Sequence, residues 1–190
     1  TEAILDILKE EQVPATFFVV AAENNEKYLP LLTRIQAEGH QIGLHSCTHK
    51  YSEVYADSTS FWADIKELKK KIAPYVEDPQ ALIWLRFIGG STNTVSHKYG
   101  GSSIMKRLKA QAAEQGYHTI DWNVSAEDAV GGHPSAEKIL HNITKDAKSK
   151  EICVVLMHDT KATRTTVEAL PDIIAWFRDN GYQFCTVDTL

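Results

Sequence analysis

Apolar positions along the chain change rhythm repeatedly, from every third or fourth residue to short continuous runs and back. Residues 2–12 place Ile4, Leu5 and Leu8 on one helical face, and Pro14 ends that segment. Residues 15–20 then read as a buried strand. Residues 26–38 are predicted helical, with Leu29, Leu32 and Ile35 inward and Gly39 as the C-terminal cap. Residues 41–44 form the next strand, which delivers His45 at its C-terminal end. Residues 60–72 form a helix with Phe61, Ile65, Leu68 and Ile72 on one stripe. A strand over 82–87 ends at Arg86-Phe87. A helix over 103–115 is capped by Gly116, and residues 119–122 are strand-like. Residues 135–148 are helical. Residues 152–157 are the clearest buried strand and end at His158-Asp159. A helix over 165–179 precedes Gly181, and a last strand runs over 183–187.

Strands that alternate with helices, without repeats or linkers, predict one α/β domain with a parallel sheet over 1–190. An open doubly wound sheet and a closed barrel both fit. The polar candidates favour the barrel: His45, Arg86, Trp122 and His158 all fall at or just past the C-terminal ends of different strands. In a barrel those ends meet on one face, where active sites sit; in an open sheet they converge only near a switch point. A ring of this kind opens with a strand, whereas this chain opens with a helix. A first strand before Thr1 is therefore expected.

The length suits one sizeable domain. Hydrophobic residues at 43% and charged residues at 24% are ordinary for a globular chain. The 20 basic and 25 acidic residues give a net charge of −5 with no basic cluster, which argues against nucleic acid or an anionic membrane as partner. Cys47, Cys153 and Cys185 form neither a metal-type pair nor a disulfide framework. No apolar run approaches the ~20 residues of a membrane span. No signal peptide is present, in a chain that does not begin with Met.

The compact chemical signal is Gly43-Leu44-His45-Ser46-Cys47-Thr48-His49. On a helical turn, residues four apart share one face, and two neutral imidazoles there can grip one divalent ion. Zinc is the leading candidate, because it takes nitrogen ligands and leaves a position for water. A third ligand, carboxylate or imidazole, is still owed. A capped loop with two polar histidines fits the pair alone equally well.

Several motifs in order resemble the polysaccharide deacetylases of the NodB-homology type, carbohydrate esterase family 4, over nearly the whole chain. His45-Ser46-Cys47-Thr48-His49 matches that family's His-Ser/Thr-x-x-His metal motif. Arg86-Phe87-Ile88-Gly89-Gly90 resembles its Arg-x-Pro-x-Gly motif, with Ile88 in place of proline. The stretch from Trp122 to Asp128 resembles the motif ending in Asp-Trp, with Ala129 replacing the tryptophan. Leu156-Met157-His158 matches the final Leu-x-His, and residues 15–19 and 187–190 resemble the second strand and the closing sequence.

The resemblance implies a distorted (β/α) barrel of the NodB type and metal-dependent removal of N-acetyl groups from a glycan. It implies that His45 and His49 hold the metal, most plainly zinc. Arg86 would orient the general base through a charge-assisted bond. A backbone N–H near Gly89 would help bind the oxyanion. His158 would be the general acid, with Asp128 beside its ring. Leu156 and Trp122 would pocket the acetyl methyl. The family's first strand carries Thr-Phe-Asp-Asp-Gly, whose acids are the base and the third ligand. That motif is absent from residues 1–190, so the chain reads as N-terminally truncated and impaired by itself.

Residues 91–96 and 122–125 look like Gram-positive members, which points to peptidoglycan ahead of chitin oligomers and to a secreted or tethered parent protein. A glycan- or metal-binding relic without catalysis is the rival reading. Each residue also has an ordinary alternative. His158 could cap its strand, Trp122 could be core, and Arg86 could be a surface ion pair. His40, His97, His118, His133 and His141 read as solvated or structural. Asp121 and Asp159, as strand neighbours of Trp122 and His158, are expected to point away from the site.

Overall fold

The computed structural model describes all residues, Thr1–Leu190. In chain order the elements are α1 (Glu2–Glu10), β1 (Thr16–Val20), a 3-10 turn (Glu23–Tyr28), α2 (Leu31–Ala37), β2 (Gln41–Ser46) and the short α3 (Tyr51–Val54). They continue with α4 (Ser58–Ile72), β3 (Trp84–Leu85), the short α5 (His97–Gly100), α6 (Ile104–Glu114) and β4 (His118–Thr119). The last are β5 (Val124–Ser125), α7 (Ala136–Ala147), β6 (Val155–Leu156) and α8 (Arg164–Asp179). The chain packs as two compact units, Thr16–Asp121 and Thr1–Ala15 with Trp122–Leu190.

The unit Thr16–Asp121 is built on a four-stranded parallel sheet in the order β1-β2-β3-β4. That order is sequential, as in a singly wound β/α ring, and contains no reversal that would make a switch point. Helices carry the crossovers between neighbouring strands, as parallel pairing requires. α4 shows why these residues form a helix: Asp57 caps its N-terminus by accepting from the Ser60 N–H, and Phe61, Ile65, Leu68 and Ile72 are all buried. Phe61 stacks on Tyr55 and meets Phe87 at 5.4 Å between centroids. Gly43 lets Phe18 lie against β2, because a Cβ there would come within 2.5 Å of the ring.

The other unit contains the parallel pair β5-β6, with Val124 opposite Val155 and Ser125 opposite Leu156. Its core gathers Val124, Ala126, Ile139, Ile143, Ala169, Ile173 and Phe177. α7 begins at Ser135, whose side chain accepts from the Lys138 N–H. α1 packs on α8, and Arg178 pairs with the Glu11 carboxylate.

Several expected elements differ. The helix expected over 26–38 is a 3-10 turn followed by α2, because Pro30 supplies the start of the α-helix. Residues 119–122 pair only through Thr119, so Asp121 and Trp122 lie beyond the ladder. The strand expected over 152–157 is paired only at Val155 and Leu156 and is half-buried, with Ile152 59% exposed. Residues 183–187 form no strand; Tyr182 and Phe184 instead lay their rings against Phe177. Apolar content there serves packing rather than a ladder.

Candidate active site

His45 stands on β2 at a break in register. The pairing passes from Val19 opposite Leu44 to Val20 opposite Ser46, so His45 is the extra residue of a β-bulge. A bulge re-aims a side chain and is common beside active sites. The imidazole Nδ1 lies 2.5 Å from the Arg86 carbonyl oxygen. A carbonyl can only accept, so Nδ1 carries a proton, and in the neutral ring Nε2 is the nitrogen with the lone pair.

His49 returns to His45 through a turn, with ring centroids 5.2 Å apart and planes tilted by 57°. This corrects the helical-turn expectation. His45 is in a strand, and His49 has the left-handed φ of 57°, uncommon for a non-glycine residue. The pair meets through a strand end and a turn, not through helical periodicity. The turn is tied down by Asp64 of α4. Its carboxylate accepts from Ser46 Oγ at 2.8 Å, from the Cys47 N–H at 2.8 Å and from the Thr48 N–H at 3.0 Å. Ser46 Oγ in turn accepts from the His49 N–H at 2.8 Å.

These residues fit a divalent metal as far as they go. Ring nitrogens about 2.0–2.1 Å from one tetrahedral ion put two imidazole centroids about 5 Å apart, which agrees with the observed 5.2 Å. A carbonyl on the far ring nitrogen is the usual outer partner of a metal-binding imidazole. No third His, Cys, Asp or Glu joins the pair in a group of three.

Arg86 is 8% exposed and so is not a surface ion pair. Its Nε and Nη2 donate to the Ile120 and Asp121 carbonyls at 3.2 Å each, and its guanidinium lies 4.1 Å from the Phe18 ring centroid. Burial lowers its pKa to about 10, with Asp121 acting against the fall, so it is cationic at neutral pH. The turn after β3 is clamped from two sides. The Tyr55 hydroxyl donates to the Ile88 carbonyl at 2.9 Å, and burial pushes that phenol well up from its ordinary value. The Asp121 carboxylate accepts from the Ser91 N–H at 2.9 Å and from Ser91 Oγ at 2.6 Å. The Asp121 carboxylate is thus engaged by Ser91, and Asp121 lies beyond the β4 ladder on which the expected alternation rested. Gly89 is exposed with φ +73°, and a Cβ there would meet the Tyr51 hydroxyl at 2.1 Å.

In the other unit, His158 follows β6 and Asp128 follows β5. The His158 ring Nδ1 lies 2.8 Å from Asp128 Oδ1, and its backbone N–H donates to Oδ2 at 2.7 Å. Thr166 Oγ1, on α8, donates to the same Oδ2 at 2.8 Å. Burial works to raise the pKa of the Asp128 carboxyl, but these hydrogen bonds outweigh it and hold the group below the ordinary carboxylate value. The His158 side chain is 42% exposed while that of Asp128 is 1% exposed. A buried carboxylate thus fixes an accessible ring. Trp122 and Leu156 are both half-buried in this unit, ahead of β5 and on β6.

Of the remaining histidines, His40 is buried against Phe17, and His97, His118, His133 and His141 are exposed. Reading the sequence missed Asp64. The available signal was its position, three residues after Phe61 and four before Leu68, on the apolar stripe of α4.

The model of the polysaccharide deacetylase family matches residues 1–103. A peptidoglycan-N-acetylglucosamine deacetylase of Bacillus cereus is 31% identical over all of this chain and 81% of its own length. The chain belongs to the polysaccharide deacetylase family. A second deacetylase of that name from Bacillus cereus is 29% identical, and the chain spans 63% of it. The catalytic domain of the peptidoglycan N-acetylglucosamine deacetylase from Eubacterium rectale superposes with a TM-score of 0.91 at 33% identity, covering 98% of this chain and 81% of that one. A peptidoglycan N-acetylglucosamine deacetylase solved with 4-naphthalen-1-yl-N-oxidanyl-benzamide has a TM-score of 0.79 at 27% identity, covering 99% and 79%. The α/β fold with parallel sheets is that of the NodB-type catalytic domains. No helix of the chain is long and apolar enough to cross a membrane.

Proposed function

We propose that this domain hydrolyses N-acetyl groups of an N-acetylated cell-wall glycan, peptidoglycan ahead of chitin-like oligomers, with the aid of a divalent metal, zinc by preference. The protein then works outside the membrane, secreted or tethered. The observation that carries the reading is the His45–His49 pair, with Nδ1 of His45 committed to the Arg86 carbonyl. The relatives' names support the substrate class. The N-oxidanyl-benzamide held by one relative supports the metal, since its two oxygens suit a divalent ion.

His45 and His49 would hold the metal as neutral rings, and when bound it would supply a water of lowered pKa and a Lewis acid for the acetamide carbonyl. The Arg86 cation would orient a carboxylate base of the kind the family's acid pair supplies, and a backbone N–H near Gly89 would help bind the developing oxyanion. Asp128 keeps the proton on Nδ1 of His158, so Nε2 is the nitrogen that delivers a proton to the departing amine. Leu156 and Trp122 receive the acetyl methyl. The acid pair expected as base and third ligand is absent from the sequence of residues 1–190. These residues alone should therefore turn over ~10²–10⁴-fold more slowly than a protein that carries the pair.

The test is acetate release from peptidoglycan and from N-acetylchitooligosaccharide by the full-length protein supplied with zinc. Release should stop with a chelator and in His45→Ala, while His158→Ala should slow turnover without weakening zinc binding. Full activity in the presence of chelator would overturn the metal. Loss of zinc affinity in His158→Ala would overturn the acid. A chain that binds zinc or glycan and releases no acetate would be the non-catalytic relic.

A further inference from the structure

We propose that Asp64 is the positioning residue of the histidine pair, its buried carboxylate holding the turn that sets His49 beside His45 for a shared metal. The proposal rests on the reading of His45 and His49 as metal ligands. It adds a residue that lies outside their motif, on the helix behind it.

The geometry is specific. Three donors from consecutive residues converge on one carboxylate: Ser46 Oγ and the Cys47 N–H on Oδ2, and the Thr48 N–H on Oδ1, all within 3.0 Å. Ser46 Oγ then relays to the His49 N–H at 2.8 Å. The backbone from Cys47 to His49 is thus tied to Asp64 directly or through one hydroxyl. His49 needs such a tie, because its φ of 57° is a conformation that a β-carbon disfavours. Hydrogen bonds to an ionised acceptor are the strong ones. Here they form out of water, with Asp64 9% exposed and Ser46 fully buried.

The carboxylate stands on the buried face of α4. α4 runs for 15 residues, and Phe61, Ile65 and Leu68 bury the same side of it. A rigid helix therefore supplies the reference against which the turn is fixed. On the other side, His45 is aimed by its bulge and by the Arg86 carbonyl. His45 has its own support, and His49 depends on Asp64 for its place.

The test is zinc affinity, measured by competition with a chromophoric chelator on the apoprotein. Asp64→Asn keeps the side chain's size but turns one acceptor into a donor facing an N–H. It should weaken zinc by about 10- to 100-fold, the range typical of outer partners of metal ligands. It should also speed hydrogen exchange at the Cys47 and Thr48 amides with no metal present. Ser46→Ala removes the hydroxyl's bond to Asp64 and its relay to His49 but leaves the Cys47 and Thr48 bonds in place, so it should weaken zinc by less. Leu68→Ala loosens the same helix without touching the turn, so it should lower the melting temperature and leave zinc affinity in place. Wild-type affinity in Asp64→Asn, or in Ser46→Ala should the first variant not fold, overturns the proposal, as does an equal loss in Leu68→Ala. Wild-type affinity in His45→Ala overturns instead the reading of the pair as ligands.

Discussion

Asp128 accepts from two groups of His158 and from Thr166, and its side chain is 1% exposed. Three donors share two oxygens, so Asp128→Asn places an amide N–H against at least one of them. An unpaired buried donor costs about 1–3 kcal/mol, and that loss is expected in urea unfolding at pH 7. The pH dependence follows from the lowered carboxyl pKa. A carboxyl depressed in the folded state contributes stability that is fully present above its unfolded value of about 3.9. The contribution fades as pH falls through the folded value. The carboxyl's part of the gap between wild type and Asp128→Asn should therefore be lost as pH falls below about 4. A gap that widened in acid would mean that the native carboxyl is raised rather than depressed. This contact was anticipated from a family motif and not from spacing, since 30 residues separate the partners.

At the level of elements, the helices were the legible part. Ile4, Leu5 and Leu8 of α1 and the stripe of α4 are buried as their periodicity predicts. Strands were harder for a physical reason. β3, β4, β5 and β6 pair over two residues each, too short to carry an alternation. Val124-Ser125 accordingly passed as loop, while residues 183–187 passed as strand on apolar content alone. The histidine pair was legible as a motif, but its geometry was not. A β-bulge and a left-handed residue leave no periodic trace, and Asp64 reads as one more charge in a charged helix. The stripe of α4 also makes a graded prediction. Leu68 is fully buried, and Leu68→Ala should destabilise by about 2–5 kcal/mol through lost burial and a cavity. Lys70 on the same helix is 77% exposed and paired only with Glu67, so Lys70→Ala should stay within about 0.5 kcal/mol. Equal melting shifts for the two would mean that the stripe faces elsewhere.

For the molecule as a whole, the two compact units are assembled from the chain in different ways. The unit Thr16–Asp121 is continuous, and its sheet joins strands in sequence order, with Thr16 and Gln41 only 25 residues apart where β1 meets β2. The other unit needs both ends of the chain, since α1 must find α8 and Arg178 lies 167 residues from Glu11. Loop-closure entropy grows as (3/2)RT ln n, so the longer closure costs roughly 1.7 kcal/mol more than the shorter one before any contact rewards it. The exposed Arg178–Glu11 pair, with side chains 44% and 31% exposed, returns little of that. Docking of α1 should therefore follow formation of the sheet. Pulse-labelled hydrogen exchange during refolding reads the order directly. The Arg86 N–H, bonded to the Leu44 carbonyl at 2.9 Å, should be protected before the Leu5 N–H, bonded to the Thr1 carbonyl at 3.0 Å. Leu8→Ala, which removes a buried contact of α1, should then speed unfolding and leave the rate of sheet protection unchanged. Protection of α1 at the same time as β2, or a slower sheet in Leu8→Ala, would mean that the chain ends meet early.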